Sequence, residues 1–177
     1  VRELAQTSER LSRFKERDAQ RYEIELKAWQ AKSRGELLAA QLQMEKGITK
    51  FKCATIAEAE MLASVKAPDV LLAYQPVGPA IQRMVDLAAR YRSTRFSVVA
   101  DTESIIRSLS TLAKQAKIEI GVMLDLNVGM NRTGISPGNE AVALYRLIDI
   151  LPNLAPDGLH VYDGHIRDHD LALRKSR

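Results

Sequence analysis

The stretch LDLNVGMNRTGI, from Leu124 to Ile135, joins an apolar run to a turn carrying Gly129, Asn131, Arg132 and Gly134. Its first half alternates like a strand, and its second half has no helical period. Glycine lets a backbone turn sharply or approach a ligand closely. A guanidinium presents a rigid fork of donors to an anion or a phenolate oxygen. The chemistry open to this turn is therefore anion or phenolate binding, and the competing reading is a tight loop with a solvated cation. Gln75, Asp101, Asn127, Tyr162 and His165 also lie at or just past the ends of apolar runs. One polar strand end is ordinary, but several gathered at the same end of a sheet point to a site.

The elements that must position these groups are strands alternating with helices. TKFKCAT, DVLLAYQ, RFSVVAD, IEIGVMLDLN and DGLHVYD are the strand candidates, rich in β-branched and aromatic residues. Amphipathic helices are predicted near Ile56–Val65, Pro79–Tyr91, Thr102–Lys117 and Asn139–Leu151. Pro79 suits a first helical turn, and Asp101 or Thr102 could cap the third helix. Early strands recur at steps of about 20–25 residues, the length of a strand–helix unit, so the sheet should be parallel. A TIM-type (β/α) barrel and an open doubly wound sheet both fit, and both place ligands at the carboxyl ends of the strands. Side chains alternate across a strand. Asp125 and Asn127 therefore oppose Leu124 and Leu126, while His160 and Tyr162 oppose Leu159 and Val161. In a barrel the apolar face meets the helices and the mixed face lines the interior.

Before about Leu37 the texture differs. SERLSRFKERDAQRYEIELKAWQAKSRG is dense in charge and reads as helix, but Asp18, Arg21 and Glu25 interrupt any sustained apolar seam. Two parts are expected: a charged helical extension over residues 1–36 and an α/β domain over 37–177. The net charge of +4 is spread among mixed acids and bases, with no basic run interleaved with aromatics, so nucleic acid is not an expected partner. No apolar stretch approaches the roughly 20 residues of a membrane span. The charged N-terminus lacks a secretory core. The lone Cys53 suits a reducing cytoplasm and reads as a small buried hydrophobe.

FKCATIAEAEMLA, DVLLAYQPVGP, LDLNVGMNRTGI and GLHVYDGHIRDHD, in that order, resemble the D-threonine aldolase family. That family lies within the wider group built on an alanine-racemase-type barrel, which also holds D-serine dehydratase-like enzymes. The resemblance runs from about Gly47 to the C-terminus. It implies a pyridoxal 5′-phosphate (PLP) enzyme acting on small D-amino acids, the cofactor ring serving as electron sink. By the same resemblance Arg132 should donate to the cofactor's phenolic oxygen and Tyr162 should stack on its pyridine ring. Gln75 is a further candidate for the cofactor pocket, and His165 is placed to meet the substrate's hydroxyl. His160, His165 and His169 with Asp163, Asp168 and Asp170 match no zinc spacing, so no metal ligand is assigned. The divalent metal expected in full-length members would take its ligands from a C-terminal region outside this chain.

The sequence departs from the family in two places. The family's first barrel strand ends in a lysine motif whose lysine forms the Schiff base. Upstream of Gly47 this chain has AWQAKSRGELLAAQLQMEKG. Lys32 stands near the expected distance and is the candidate, with Lys52 second because it belongs to the next strand. The chain also stops soon after HIRDHD, so a partial barrel is expected, with open edges that a second copy could cover. The leading expectation is the core of a lyase cleaving D-3-hydroxy-amino acids to glycine and an aldehyde. The alternatives are D-serine dehydratase or racemase chemistry on the same scaffold, or an inactive cofactor-binding remnant.

Overall fold

A computed structural model of the chain describes residues 34–175. The chain divides into two compact units, Val1–Lys46 and Gly47–Arg177. In the first, helix α1 covers residues 34–45. Most of the charged extension expected over residues 1–36, including Lys32, lies outside the described residues.

The second unit alternates throughout: β1 (Lys50–Cys53), α2 (Ile56–Ser64), β2 (Asp69–Leu72), α3 (Pro79–Arg90), β3 (Arg95–Ala100), α4 (Glu103–Ala116), β4 (Ile120–Leu126), α5 (Asn139–Ile150), β5 (Leu154–Val161) and α6 (Leu171–Lys175). The strands form one sheet in the order β1-β2-β3-β4-β5, every neighbouring pair parallel. The strictly sequential order is that of a partial barrel, which the family resemblance implies, and excludes the doubly wound alternative that the alternation left open. Local chemistry fixes several boundaries. Thr55 and Glu58 close a capping box at the start of α2: Glu58 N–H donates to Thr55 Oγ1, and the Glu58 carboxylate accepts from Thr55 N–H. Such a cap contributes about 1 kcal/mol. Pro79 opens α3 in the first turn, where its missing N–H costs nothing.

The two faces of the sheet differ as strand parity requires. Val70, Leu72, Phe96, Val98, Val122 and Leu124 point outward and are buried. They build the core with Met84 and Val85 of α3, Ile106 and Leu109 of α4, and Ile148 of α5. Cys53 belongs to the same outward set and is buried. Burial, with the Glu58 charge adding to it, pushes its thiol up to about 12 against a smaller opposing effect of the Thr55 backbone. It is therefore an inert core residue and no nucleophile.

The inner face is polar. At its amino end Arg95 grips Asp157 with two bonds, 2.9 and 2.6 Å, and reaches Asp69 at 3.4 Å. Gly121 leaves room for this pair, since a Cβ there would stand 2.9 Å from Asp157 Oδ2. Burial by itself would raise the Asp157 carboxyl, but hydrogen bonds from Arg95 and Ser97 and the charges of Arg95 and Lys50 outweigh it and hold the carboxyl below its usual range. A group held low when folded stabilises the fold above its unfolded value, near 3.9, and that stability is lost as pH falls through the folded value. Asp157→Asn should therefore cost about 1 kcal/mol at pH 7, a figure already discounted for the solvent around Arg95. In paired thermal melts the difference from wild type should shrink as pH drops below about 4. A difference that persisted at pH 2 would reject the ion pair as its source.

Candidate active site

The carboxyl ends of β3, β4 and β5 meet at the glycine turn. Asn127, one residue beyond β4, closes that turn. Its side-chain oxygen accepts the N–H groups of Gly129, at 3.1 Å, and Asn131, at 3.0 Å. Its amide donates to Asn131 Oδ1 at 3.0 Å. Asn131 takes a left-handed backbone, φ 54°, which asparagine tolerates better than most residues. The chain then returns beside β4: Ile135 N–H donates to Asp125 O, and Asn127 N–H donates to Ile135 O, both at 2.9 Å. At Gly134, φ +93°, a Cβ would lie 2.6 Å from Asn127 N and Leu126 C, so only glycine passes there.

Asp101 ties β3 to the same turn. Its Oδ2 accepts Gly134 N–H at 2.8 Å, and its Oδ1 accepts the Thr102 hydroxyl at 2.8 Å. Thr102 is the residue at the start of α4, but its hydroxyl is spent on Asp101 and makes no helix cap. Gln75 supports this from β2's side. Its Oε1 accepts Asp101 N–H at 2.9 Å, and its amide reaches Thr102 Oγ1 at 3.5 Å.

The turn thus fixed carries Arg132 to Tyr162, with the guanidinium carbon 5.1 Å from the ring centroid, a cation–π contact. Both line a shallow cleft with Asp125, Leu126, Asn127, Met130 and Thr133. His165 stands behind the turn. A Cβ on Gly129, φ +112°, would come within 2.8 Å of His165 Nε2, so the imidazole packs on bare backbone. Its Nδ1 is buried and has no hydrogen-bond partner.

Of the residues singled out in the sequence, Arg132 and Tyr162 share the cleft. Gln75 is directed to Asp101 and Thr102 and does not line it. His165 borders the turn without lining the cleft, and Lys32 lies outside the described residues. Among the described residues no three His, Cys, Asp or Glu side chains converge as for a metal ion. None of their helices is long and apolar enough to cross a membrane.

The structure also joins three residues that the sequence named but did not bring together, Lys52, the second lysine candidate, among them. Asp125 and His160 are directly opposed in register on β4 and β5, and His160 Nδ1 lies 2.7 Å from Asp125 Oδ1. Lys52 Nζ lies 3.1 Å from His160 Nε2. The signal for the first pair was present in DLN and HVY, each alternating a polar group onto the inner face. The Lys52 contact joins the first strand to the last and has no local signature.

PLP makes three demands that can be tested against these residues: a donor to its phenolic oxygen, a flat apolar surface for its ring, and donors for its phosphate. Arg132 and Tyr162 are residue types suited to the first two and share one cleft, with the guanidinium lying over the tyrosine ring. The orphaned Nδ1 of His165 beside the turn is a polar atom that still wants a partner. The residues present fit the ring end of the cofactor.

Comparison with known proteins agrees with this architecture. The profile of the alanine racemase N-terminal domain family matches residues 19–175. A D-threonine aldolase of Arthrobacter sp is 26% identical over 127 residues, covering 72% of this chain and 33% of that protein. A 3-hydroxy-D-aspartate aldolase of Paracoccus denitrificans (strain Pd 1222) is 27% identical over 120 residues, covering 67% of this chain and 30% of its own length. This chain therefore spans about a third of those relatives. Among solved structures, D-threonine aldolase from Filomicrobium marinum superimposes with a TM-score of 0.71 at 30% identity, over 79% of this chain and 38% of that one. An alanine racemase of Clostridium difficile 630 in complex with cycloserine shares the fold, with a TM-score of 0.65 at 14% identity, over 79% and 37% of the two chains.

Proposed function

The chain belongs to the alanine racemase N-terminal domain family, and from that premise we propose that it is the cofactor-holding core of a PLP-dependent aldolase-type lyase. The substrate class is D-3-hydroxy-amino acids, and the products are glycine and an aldehyde. The observation that carries this reading is the Arg132–Tyr162 pair in one cleft at the carboxyl ends of β4 and β5. Arg132 would donate to the phenolic oxygen, and Tyr162 would offer its ring to the cofactor's, on a face that the Arg132 guanidinium now covers. When bound, the cofactor supplies an electron sink for the bond broken in the substrate. His165 is the candidate to take the proton of the substrate's hydroxyl, the step that frees electrons to expel the aldehyde, but it would have to swing out from behind the turn to do so, because it does not line the cleft and its Nδ1 is buried. Asp101, Gln75 and Asn127 hold the turn in place through the bonds described above. The metal expected of full-length members has no ligands assigned here.

Calorimetric titration of the chain with PLP tests this reading. Saturable binding should weaken about tenfold in Arg132→Ala, the loss of one charge-assisted bond worth roughly 1.4 kcal/mol. Equal affinity in the variant would reject the site. Release of acetaldehyde from D-threonine would select the aldolase. Pyruvate and ammonia from D-serine would select the dehydratase instead, and exchange between L- and D-alanine the racemase.

A further inference from the structure

Lys52 is an exposed cation on the inner face of β1, and what holds it is an imidazole. Its Nζ lies 3.1 Å from His160 Nε2, and His160 Nδ1 lies 2.7 Å from Asp125 Oδ1. A carboxylate only accepts, so the imidazole proton stands on Nδ1 and the Nε2 lone pair accepts from the ammonium. The side chains of His160 and Asp125 are only 13% and 8% exposed, so the imidazole keeps one orientation. A carboxylate beside Lys52 would fix the ammonium and cancel its charge. A neutral imidazole fixes it and leaves the charge whole. None of the ion pairs among the described residues involves Lys52, and the inner-face acids Asp69 and Asp157 are engaged by Arg95. Two N–H groups of the ammonium remain for a ligand.

We infer that Lys52 is an anion-recognition point whose ligand is a carboxylate of the amino-acid substrate, with His160 and Asp125 positioning it. The inference rests on the proposed reading of the Arg132–Tyr162 cleft. Asp125 joins that cleft to the ammonium, because it lines the one and orients the imidazole that holds the other. In that reading Arg132 serves the cofactor's phenolic oxygen. Arg95 and Lys50, at the amino end of the inner face, both act on Asp157. Lys52 is the cation left for the substrate. Two donors on one nitrogen suit the two oxygens of a single carboxylate. A phosphate dianion wants more donors than one ammonium offers, and the Asp125 charge behind His160 opposes its second charge.

The test is calorimetric titration of the full chain, with and without PLP, against D-threonine, which carries one carboxylate, and 3-hydroxy-D-aspartate, which carries two. Lys52→Gln should weaken amino-acid binding about fivefold, the upper end for an ion pair open to water, without a matching loss of PLP affinity. Lys52→Arg keeps the charge and should recover most of that binding. His160→Leu should weaken it too. His160→Gln, whose side-chain oxygen can still accept from the ammonium, should bring it back, a rescue that a merely structural role would not show. Equal loss for both amino acids in Lys52→Gln puts the α-carboxylate at Lys52, and loss for 3-hydroxy-D-aspartate alone puts the second carboxylate there. Either upholds the inference. Unchanged amino-acid binding in Lys52→Gln, or no binding of either amino acid to wild type, overturns it. A loss confined to PLP also overturns it, since Lys52 would then serve the cofactor's phosphate. Lys52-dependent amino-acid binding without saturable PLP binding upholds the inference and rejects the cofactor reading. Saturable PLP binding that Arg132→Ala weakens, with amino-acid binding indifferent to Lys52, does the reverse.

Discussion

Gly134→Val should destabilise the chain by about 3 kcal/mol or more and abolish ligand binding at the cleft, because two penalties fall on one residue. The backbone stands at φ +93°, a region that β-branched residues avoid. The added Cβ would also overlap Asn127 N and Leu126 C at 2.6 Å, and backbone cannot rotate aside as a side-chain tip can. The loop must therefore leave β4. That breaks the Gly134 N–H bond to Asp101 and strains the Ile135 bridge to Leu126. Arg132 lies between the two anchored points, Asn127 and Gly134, and would lose its place over Tyr162. Urea unfolding and PLP titration of the same variant check both halves. A midpoint within experimental scatter of wild type would show that the turn yields easily and that glycine is not required there. Loss of stability with binding intact would separate the turn's packing from its role at the site.

That site was partly legible before any coordinates. The strand ends carrying Asp101, Asn127 and Tyr162 could be placed because period-two patterns in RFSVVAD, IEIGVMLDLN and DGLHVYD are long and bounded by turn residues. The Asx turn at Asn127 was also within reach of the sequence, since an asparagine two residues before a glycine at a strand end commonly closes a loop in this way. Pairings that depend on register were not. β5 begins at Leu154, ahead of the run DGLHVYD, and passes through Pro156, a residue that argues against a strand. β5 is an edge strand, where a missing N–H is tolerated, and the register shifts opposite Val122 and Met123. That shift leaves Asp157 as the extra residue and turns it toward Arg95. Without it, strand parity alone would have put Asp157 and His160 on opposite faces. Lys52 meets His160 only because five strands curve far enough for the first to face the last, a property of the whole sheet and of no segment in it.

The last expected result concerns two leucines that the sequence presents as equivalents. Leu124 of β4 and Leu159 of β5 are register partners on the same outward face. Leu124 is 1% exposed, whereas Leu159 is 53% exposed, and its neighbour two residues on, Val161, is 52% exposed. The difference lies in what covers them. The outward face of β4 is sealed by helices, while β5 is an edge strand followed by a loop and the five-residue α6, whose Leu171 and Leu173 are themselves exposed. Leu124→Ala removes the branched end of a buried side chain from a packed layer and should cost about 3 kcal/mol. Leu159→Ala gives up little apolar burial and should cost less than about 1 kcal/mol. Chemical denaturation of the two variants in the full chain measures both. Equal, large losses would mean that the outer face of β5 is covered in solution by another surface, and a concentration-dependent midpoint for wild type would identify that surface as a second copy of the chain. With Leu159→Ala near neutral, Leu159 and Val161 at the carboxyl end of β5 contribute surface, and the stability that holds Asp125 and the glycine turn in place comes from β2, β3 and β4 beneath their helices.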